Sequence, residues 1–398
     1  MTRTLKSTPI LASETSLFKT VSAKNVNVNV LFGKDEQLLV NEIVKSLPFS
    51  KILFLQTTNV FLSSGLKIIE RLKSEGIKVI NFLIDEMDLL SLDSVCGVFC
   101  ASEEVRGVVA LGERAFDFAK YYASVSGAKF FAVAHTFLPF DFFKSKLHIK
   151  NGSVIDSVSV PIEQTLIVDE NSFLSSELIL FIGSFLAEGC FSLIDAKLYG
   201  GLLDEDYAEL KKDFSRLVDV SFLSSAGNFS QDAEKLLRRF IDYAENFYNK
   251  LNKGAFNSCL SAASFLYHGG FRTDHAFVVR AALKIFSIIE NLRESPIPLE
   301  PCDFRQRVDK VKTLANLEEN ALLESLVLQE RRLYGKRIED FFSENVGLWK
   351  IKKILGGVKE ISVYDEQKFN LAIKHSGDTT LNVNTASLLR HIGALEKV

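Results

Sequence analysis

Hydrophobic and polar residues follow two different periods in the first half of the chain. Strict alternation at residues 26–30 and short apolar runs at residues 52–55, 79–84, 108–111, 130–133 and 165–168 predict β-strands. Between these runs, apolar residues recur at helical spacing, as at Leu66, Ile69 and Leu72, and Gly76 and Gly127 follow such helices as terminating glycines. Strands that alternate with helices of this length predict a parallel sheet covered on both faces.

Helical periods dominate the second half, from Ser175 to roughly Leu355. The longest patterns cover residues 232–252, 274–292 and 308–332. Before them, residues 144–160 predict a hairpin that turns at Asn151-Gly152. We therefore expect a loose polar segment at residues 1–24, an α/β domain at residues 25–172 and an all-helical domain at residues 173–398.

Composition and charge exclude several classes of protein. The 398 residues carry a formal charge of −3, which gives no basic field for nucleic acid. No apolar run reaches the roughly 20 residues of a membrane span, and the start lacks the apolar stretch of a secretory signal, so we expect a cytoplasmic protein with no membrane partner. The five cysteines show no C-x-x-C spacing and indicate neither a disulfide framework nor a thiolate zinc site.

The segment from Val108 to Asp141 contains the clearest candidate chemistry. A strand, a turn at Gly112, a helix and a second strand form the arrangement in which backbone N–H groups and a helix dipole can hold a phosphate. The turn has one glycine where such turns usually have two or three. A carboxylate at Glu113 would repel phosphate, and Arg114 could offset it. His135 and Thr136 follow the second strand at the carboxyl edge, where open α/β sheets bind ligands.

Six short motifs in order resemble the superfamily of glycerol dehydrogenase, glycerol-1-phosphate dehydrogenase, iron-containing alcohol dehydrogenase and dehydroquinate synthase. The resemblance covers mainly residues 30–200. Its motifs are VLFG at residues 30–33, KILF at 51–54, EGIKV at 75–79, VALG with DFAK at 109–112 and 117–120, KFFAVAHT at 129–136, and TLIVD at 165–169. It implies a Rossmann-like α/β domain followed by a helical domain, with the ligand in the cleft between them.

The resemblance also implies a cofactor and a substrate contact. It implies NAD or NADP as cofactor, with Gly112, Arg114, Asp117, Lys120, His135 and Thr136 as candidate binding residues. Asp141 matches the family's substrate-contacting aspartate if one residue slips. Asp117 and Lys120 are open to a second interpretation, which we favour: they form the exposed polar face of a helix.

The resemblance implies a divalent metal, zinc or iron, in the helical domain. At the position of the family's ligand aspartate this chain has Phe185, which cannot ligate. Glu188, one turn later, His275 and His268 are the candidate ligands that remain. In the alternative interpretation, Glu188 and Asp195 belong to a solvated polar stripe.

Three functions stay open. The first is a divergent NAD(P)- and metal-dependent dehydrogenase of a small polyol or polyol phosphate. The second is a pseudoenzyme that has lost metal and cofactor and binds a ligand or partner. The third is a lyase of the dehydroquinate synthase type. We assign no catalytic residue, and the sequence is compatible with a homo-oligomer.

Overall fold

The computed structural model describes residues 28–33, 37–48, 50–58, 61–84, 105–133, 146–151, 154–159, 164–169, 175–199, 201–225, 229–251, 258–268, 275–294, 348–356, 364–376, 385–391 and 393–395. The described strands are β1 (Val28–Gly33), β2 (Lys51–Gln56), β3 (Lys78–Leu83), β4 (Val105–Leu111), β5 (Lys129–Val133), β6 (Lys146–Asn151), β7 (Val154–Ser159) and β8 (Gln164–Asp169). The described α-helices are α1 (Gln37–Ser46), α2 (Leu66–Ser74), α3 (Glu113–Ser126), α4 (Ser175–Tyr199), α5 (Asp204–Ser225), α6 (Phe229–Lys250), α7 (Cys259–His268), α8 (His275–Glu294), α9 (Leu348–Leu355), α10 (Glu366–His375) and α11 (Thr385–His391).

Six strands form one parallel sheet in the order β1-β8-β5-β4-β2-β3, and β6 and β7 form a separate antiparallel hairpin. These strands confirm the predicted α/β class. The predicted helix-terminating glycines are also confirmed, because Gly76 and Gly127 have φ angles of 81° and 71°. The predicted helix at residues 308–332 and the loose segment at residues 1–24 lie outside the described residues.

Side chains that alternate along the strands point to the two faces of the sheet, and each face packs into its own apolar core. On one face, Ile52 and Phe54 of β2 pack with residues of α1 and α2. On the other face, Leu53 and Leu55 of β2 belong to a core that includes α3 and continues through the helical half of the chain. The helices that follow β2 and β4 therefore cover opposite faces of the sheet.

Helix α4 is the centre of the helical half. It packs against α5, α6, α7, α8, α9 and α11. The side chains of α4 from Phe181 to Ala196 are buried. Among the described helices, none is both long enough and apolar enough to cross a membrane.

Candidate functional site

The strand order creates a topological switch point between β2 and β4. These two strands are neighbours, but the chain passes from β2 to β3 on one side and from β4 to β5 on the other. Helices α2 and α3 then lie on opposite faces of the sheet, which is the arrangement that places a crevice beyond the carboxyl ends of β2 and β4. Open α/β sheets bind ligands at such crevices.

Gly112 forms the tight turn at this crevice. It lies between the end of β4 and the first residue of α3, with φ 97° and ψ 159°. An L side chain would be strained at this φ. Gly112 provides no side-chain cap, so the first backbone N–H groups of α3 are not capped by the residue before the helix. This glycine allows close approach of a ligand to the positive end of the helix dipole.

The neighbouring strand end carries an amide side chain. Gln56 is the last residue of β2, in register with Leu111, and it is fully buried. Its Nε2 donates to Oδ1 of Asn81 in β3 at 2.7 Å. Its Oε1 receives no hydrogen bond within the described part of the chain and packs against Gly65. Gln56 thus joins the carboxyl ends of β2 and β3, and the described end of β2 presents no carboxylate.

The other predicted cofactor residues differ in position and in burial. Arg114 lies in the first turn of α3, and Asp117 is half-buried one turn later. Lys120 is fully buried, with its Nζ 5.4 Å from the centroid of the Phe116 ring. The interpretation of Lys120 as part of an exposed polar face is therefore wrong, because α3 lies inside a core that also contains the helical half. His135, Thr136 and Asp141 lie outside the described residues.

A column of buried polar side chains runs along one face of α4. Ser184, Glu188, Ser192 and Asp195 follow at intervals of about one helical turn, and none is more than 2% exposed. Ser184 Oγ lies 2.6 Å from Nδ1 of His275, the first residue of α8, and Ser261 Oγ of α7 donates to Oε1 of Glu188. The interpretation of Glu188 and Asp195 as a solvated stripe is wrong. Six helices pack against α4 and bury its polar residues together with its apolar ones.

Asp195 joins three helices. Its Oδ2 accepts a hydrogen bond from the backbone N–H of Cys259, at the start of α7, at 2.8 Å. Its Oδ1 accepts from the backbone N–H of Thr385, at the start of α11, at 2.7 Å and from the Thr385 hydroxyl. Burial raises the pKa of the Asp195 carboxyl from 3.8 to about 6, although the hydrogen bonds from Thr385 and Cys259 oppose the shift. Asp195 is a buried cap for two helices.

The predicted metal ligands are not brought together. Glu188 is bonded to Ser261 and His275 to Ser184, while His268 ends α7 and His275 begins α8. The described residues include no cluster of three or more histidine, cysteine or acidic side chains that could hold a metal ion. The Glu188, His268 and His275 ligand set therefore stays a prediction that this arrangement does not support. Each serine contacts a single atom of one predicted ligand, Nδ1 of His275 and Oε1 of Glu188.

Phe185 occupies the position at which the resemblance implies a ligand aspartate. Its ring is fully buried and stacks on Phe240 of α6, with centroids 4.2 Å apart and planes inclined by 7°. Tyr243 meets the same ring edge-on. An aromatic cluster thus fills this part of the helical half, and the Phe185 ring at its centre offers no donor atom to a cation.

Comparison with known proteins shows the fold of the chain. No protein-family model matches the sequence, and no curated protein is detectably similar to it. Among solved structures, the NADH-dependent butanol dehydrogenase A of Thermotoga maritima is similar at a TM-score of 0.56 and 14% identity, over 95% of this chain and 98% of that chain. The iron-containing alcohol dehydrogenase of Corynebacterium glutamicum is similar at 0.55 and 14% identity, over 95% and 96%.

A third similar structure is the maleylacetate reductase of Rhizobium sp. strain MTP-10005, at a TM-score of 0.52 and 14% identity, over 96% of this chain and 97% of that chain. The similarity spans nearly the whole length of each chain. The chain therefore has the fold of these dehydrogenases and reductases, an α/β domain followed by a helical domain. This confirms, for the fold, the resemblance carried by the sequence motifs.

Proposed function

We propose that the protein binds NAD or NADP in the crevice at the carboxyl ends of β2 and β4, and that it is an oxidoreductase of a small alcohol, polyol or polyol phosphate. The observation that carries the proposal is the Gly112 turn. A residue with a φ of 97° directly before a helix, at the switch point of a parallel sheet, forms a cradle that a Cβ atom would disturb.

The residues at this turn fit a dinucleotide. The pyrophosphate would lie against the backbone of Gly112 and accept hydrogen bonds from N–H groups in the first turn of α3. The helix dipole there favours a negative charge by about 0.3–1 kcal/mol. When bound, the nicotinamide would supply the hydride donor or acceptor. The chain's own contribution at this point is to hold the phosphates with backbone groups.

The helical half does not fit a metal in the same way. The aromatic stack at Phe185 and the side-chain pairs on α4 leave no assembled ligand set in the described part of the chain. We therefore propose no catalytic step that uses a metal ion. No described residue is assigned to polarise the substrate oxygen.

A second candidate function is ligand binding without turnover. The stack of Phe185 on Phe240 favours it, because this stack replaces a carboxylate that the resemblance places in the reaction centre. A protein with an intact nucleotide crevice and a filled metal position would bind nucleotide and catalyse no hydride transfer. No observation favours lyase chemistry of the dehydroquinate synthase type.

Calorimetric titration of the full chain with NAD and with NADP tests the proposal. We expect saturable binding of at least one nucleotide. Gly112→Ala should weaken it by at least about tenfold, since the strained turn and the added methyl group both oppose the bound geometry. Gly127→Ala is the matched control: this residue has a φ of 71° at the other end of α3, and its added Cβ would meet open space.

The two functions give different results in a second assay. Oxidation of glycerol, glycerol phosphates and simple alcohols is followed by nucleotide absorbance, with and without added zinc or iron. Turnover supports the oxidoreductase, and binding without turnover under any of these conditions supports the second candidate. Absence of binding to both nucleotides would refute the oxidoreductase and would favour a pseudoenzyme that has lost its cofactor.

A further inference from the structure

A cavity of about 500 Å³ lies between α5 and α6, in the helical half of the protein. Each helix contributes four residues at the spacing i, i+3, i+4 and i+7, which is one helical face. The lining residues are Asp213, Arg216, Leu217 and Val220 of α5, and Arg239, Asp242, Tyr243 and Asn246 of α6. This volume falls in the range of small-molecule sites. None of these residues belongs to the nucleotide crevice.

The cavity has an apolar floor and a charged rim. Leu217 and Tyr243 are buried, with relative exposures of 5% each. Arg216, Arg239 and Asp242 are exposed to solvent. A ligand here would place its apolar part on the floor and its polar groups among the charges of the rim.

The rim of the cavity contains a cationic and an anionic side chain, Arg239 and Asp242, next to each other. Asp213 and Arg216 form an exposed ion pair at 3.4 Å. Arg239 and Asp242 lie one turn apart on α6, a spacing at which side chains can pair, but they form no ion pair with each other or with another described residue. Asn246, one turn further along, forms no side-chain hydrogen bond with any of the described residues. Arg239, Asp242 and Asn246 thus line the cavity at consecutive turns, and none of them pairs with another side chain in the described part of the chain.

From this arrangement we infer that the cavity binds a small zwitterion of the α-amino acid class with an apolar side chain. The planar guanidinium of Arg239 suits a carboxylate, which it can bind bidentately. The carboxylate of Asp242 suits the adjacent ammonium group. The two arginines and two aspartates of the lining sum to zero charge, so a ligand of net charge zero meets an opposite partner for each of its charges. A ligand with one charge would leave Arg239 or Asp242 facing no counter-charge.

Calorimetric titration of the full chain with L-leucine, L-valine and L-phenylalanine tests this inference. We expect saturable binding of at least one of them. N-acetylation removes the ammonium group and amidation removes the carboxylate, so each derivative of the bound amino acid should bind at least about tenfold more weakly. If none of the three binds up to about 10 mM, which is the range of weak specific sites, the inference is overturned. Equal binding of either derivative overturns the zwitterion assignment.

Matched variants locate the site. Arg239→Gln and Asp242→Asn should each weaken binding by at least about tenfold, whereas Arg238→Gln, the same charge change one residue away and outside the cavity lining, should leave it unchanged. Arg239 and Asp242 are exposed, and unchanged circular dichroism and thermal unfolding would show that the variants fold. Unweakened binding by Arg239→Gln would overturn the inference. The nucleotide titrations are independent of this result, because the two sites share no residue.

Discussion

Replacing Asp195 with asparagine should remove a pH dependence of stability that this one carboxylate imposes on the helical half. The side chain is fully buried, and burial raises its pKa from 3.8 to about 6. The folded state therefore holds the proton more tightly than the unfolded state does. The stabilising contribution is fully present below pH 3.8, and it is lost as the pH rises through about 6.

The pKa shift of Asp195 determines how much the free energy of unfolding changes with pH. A difference of about two pKa units corresponds to about 3 kcal/mol between the acidic and the neutral limit. Roughly half of it, about 1.5 kcal/mol, falls between pH 5 and pH 7.5. The asparagine variant lacks this titration. It is also less stable at every pH, by about 1–3 kcal/mol, because its amide nitrogen cannot accept from the backbone N–H groups of Cys259 or Thr385.

Urea unfolding followed by tryptophan fluorescence provides the assay, since the only tryptophan, Trp349, lies on α9 and packs against Phe222 of α5. The free energy of unfolding of the wild type minus that of Asp195→Asn should be about 1.5 kcal/mol larger at pH 5 than at pH 7.5. Thr385→Val offers a cross-check. The Thr385 hydroxyl lowers the pKa of Asp195, so its removal should move the transition to higher pH. A difference that is flat or grows with pH would show that the positive ends of α7 and α11 outweigh burial.

Three further substitutions, at two positions, test the packing around the candidate sites. Phe185→Ala should destabilise the protein by about 3–5 kcal/mol in urea unfolding, because the stack on Phe240 becomes a cavity. Phe185→Asp should be destabilising and should bind no zinc or iron by elemental analysis, and stoichiometric metal in this variant would contradict the account of the metal position. Gly65→Ala would place a methyl group 1.7 Å from Oε1 of Gln56 and break the hydrogen bond between Gln56 and Asn81. We expect a loss of about 1–2 kcal/mol in the free energy of unfolding, measured by thermal unfolding. Unchanged stability would contradict the tight packing of Gln56 against Gly65.

Local patterns predicted the elements of the chain well. The run at residues 52–55 became β2, and the helical period through Leu66 and Leu72 became α2. These features depend on side-chain periods and glycine conformations that act within one element. The strand order is a different property. The pairing of β1 with β8 joins residues that are more than 130 positions apart, and no local pattern encodes it.

Burial of polar side chains was the least predictable property. Glu188 and Asp195 were open to interpretation as a solvated stripe, and Lys120 as an exposed side chain, but all three are buried. For α4 a signal was present: most residues of this helix are apolar, which is typical of a buried helix whose few polar residues are enclosed as well. For Lys120 the cause is tertiary, since the helical half joins the core that contains α3.

The two halves of the proposed reaction centre differ in how they depend on the sequence. The proposed nucleotide crevice depends on the strand order and on the backbone of Gly112. A metal site depends on a few side chains, and at position 185, where the resemblance implies a ligand aspartate, this chain has a phenylalanine ring stacked on Phe240. The polar groups of α4 then bond within the protein: Glu188 to Ser261, and Asp195 to two helix ends. The observed geometry therefore supports nucleotide binding more directly than metal-assisted chemistry. Nucleotide titration is the measurement that tests whether the chain shares a function with these dehydrogenases as well as a fold.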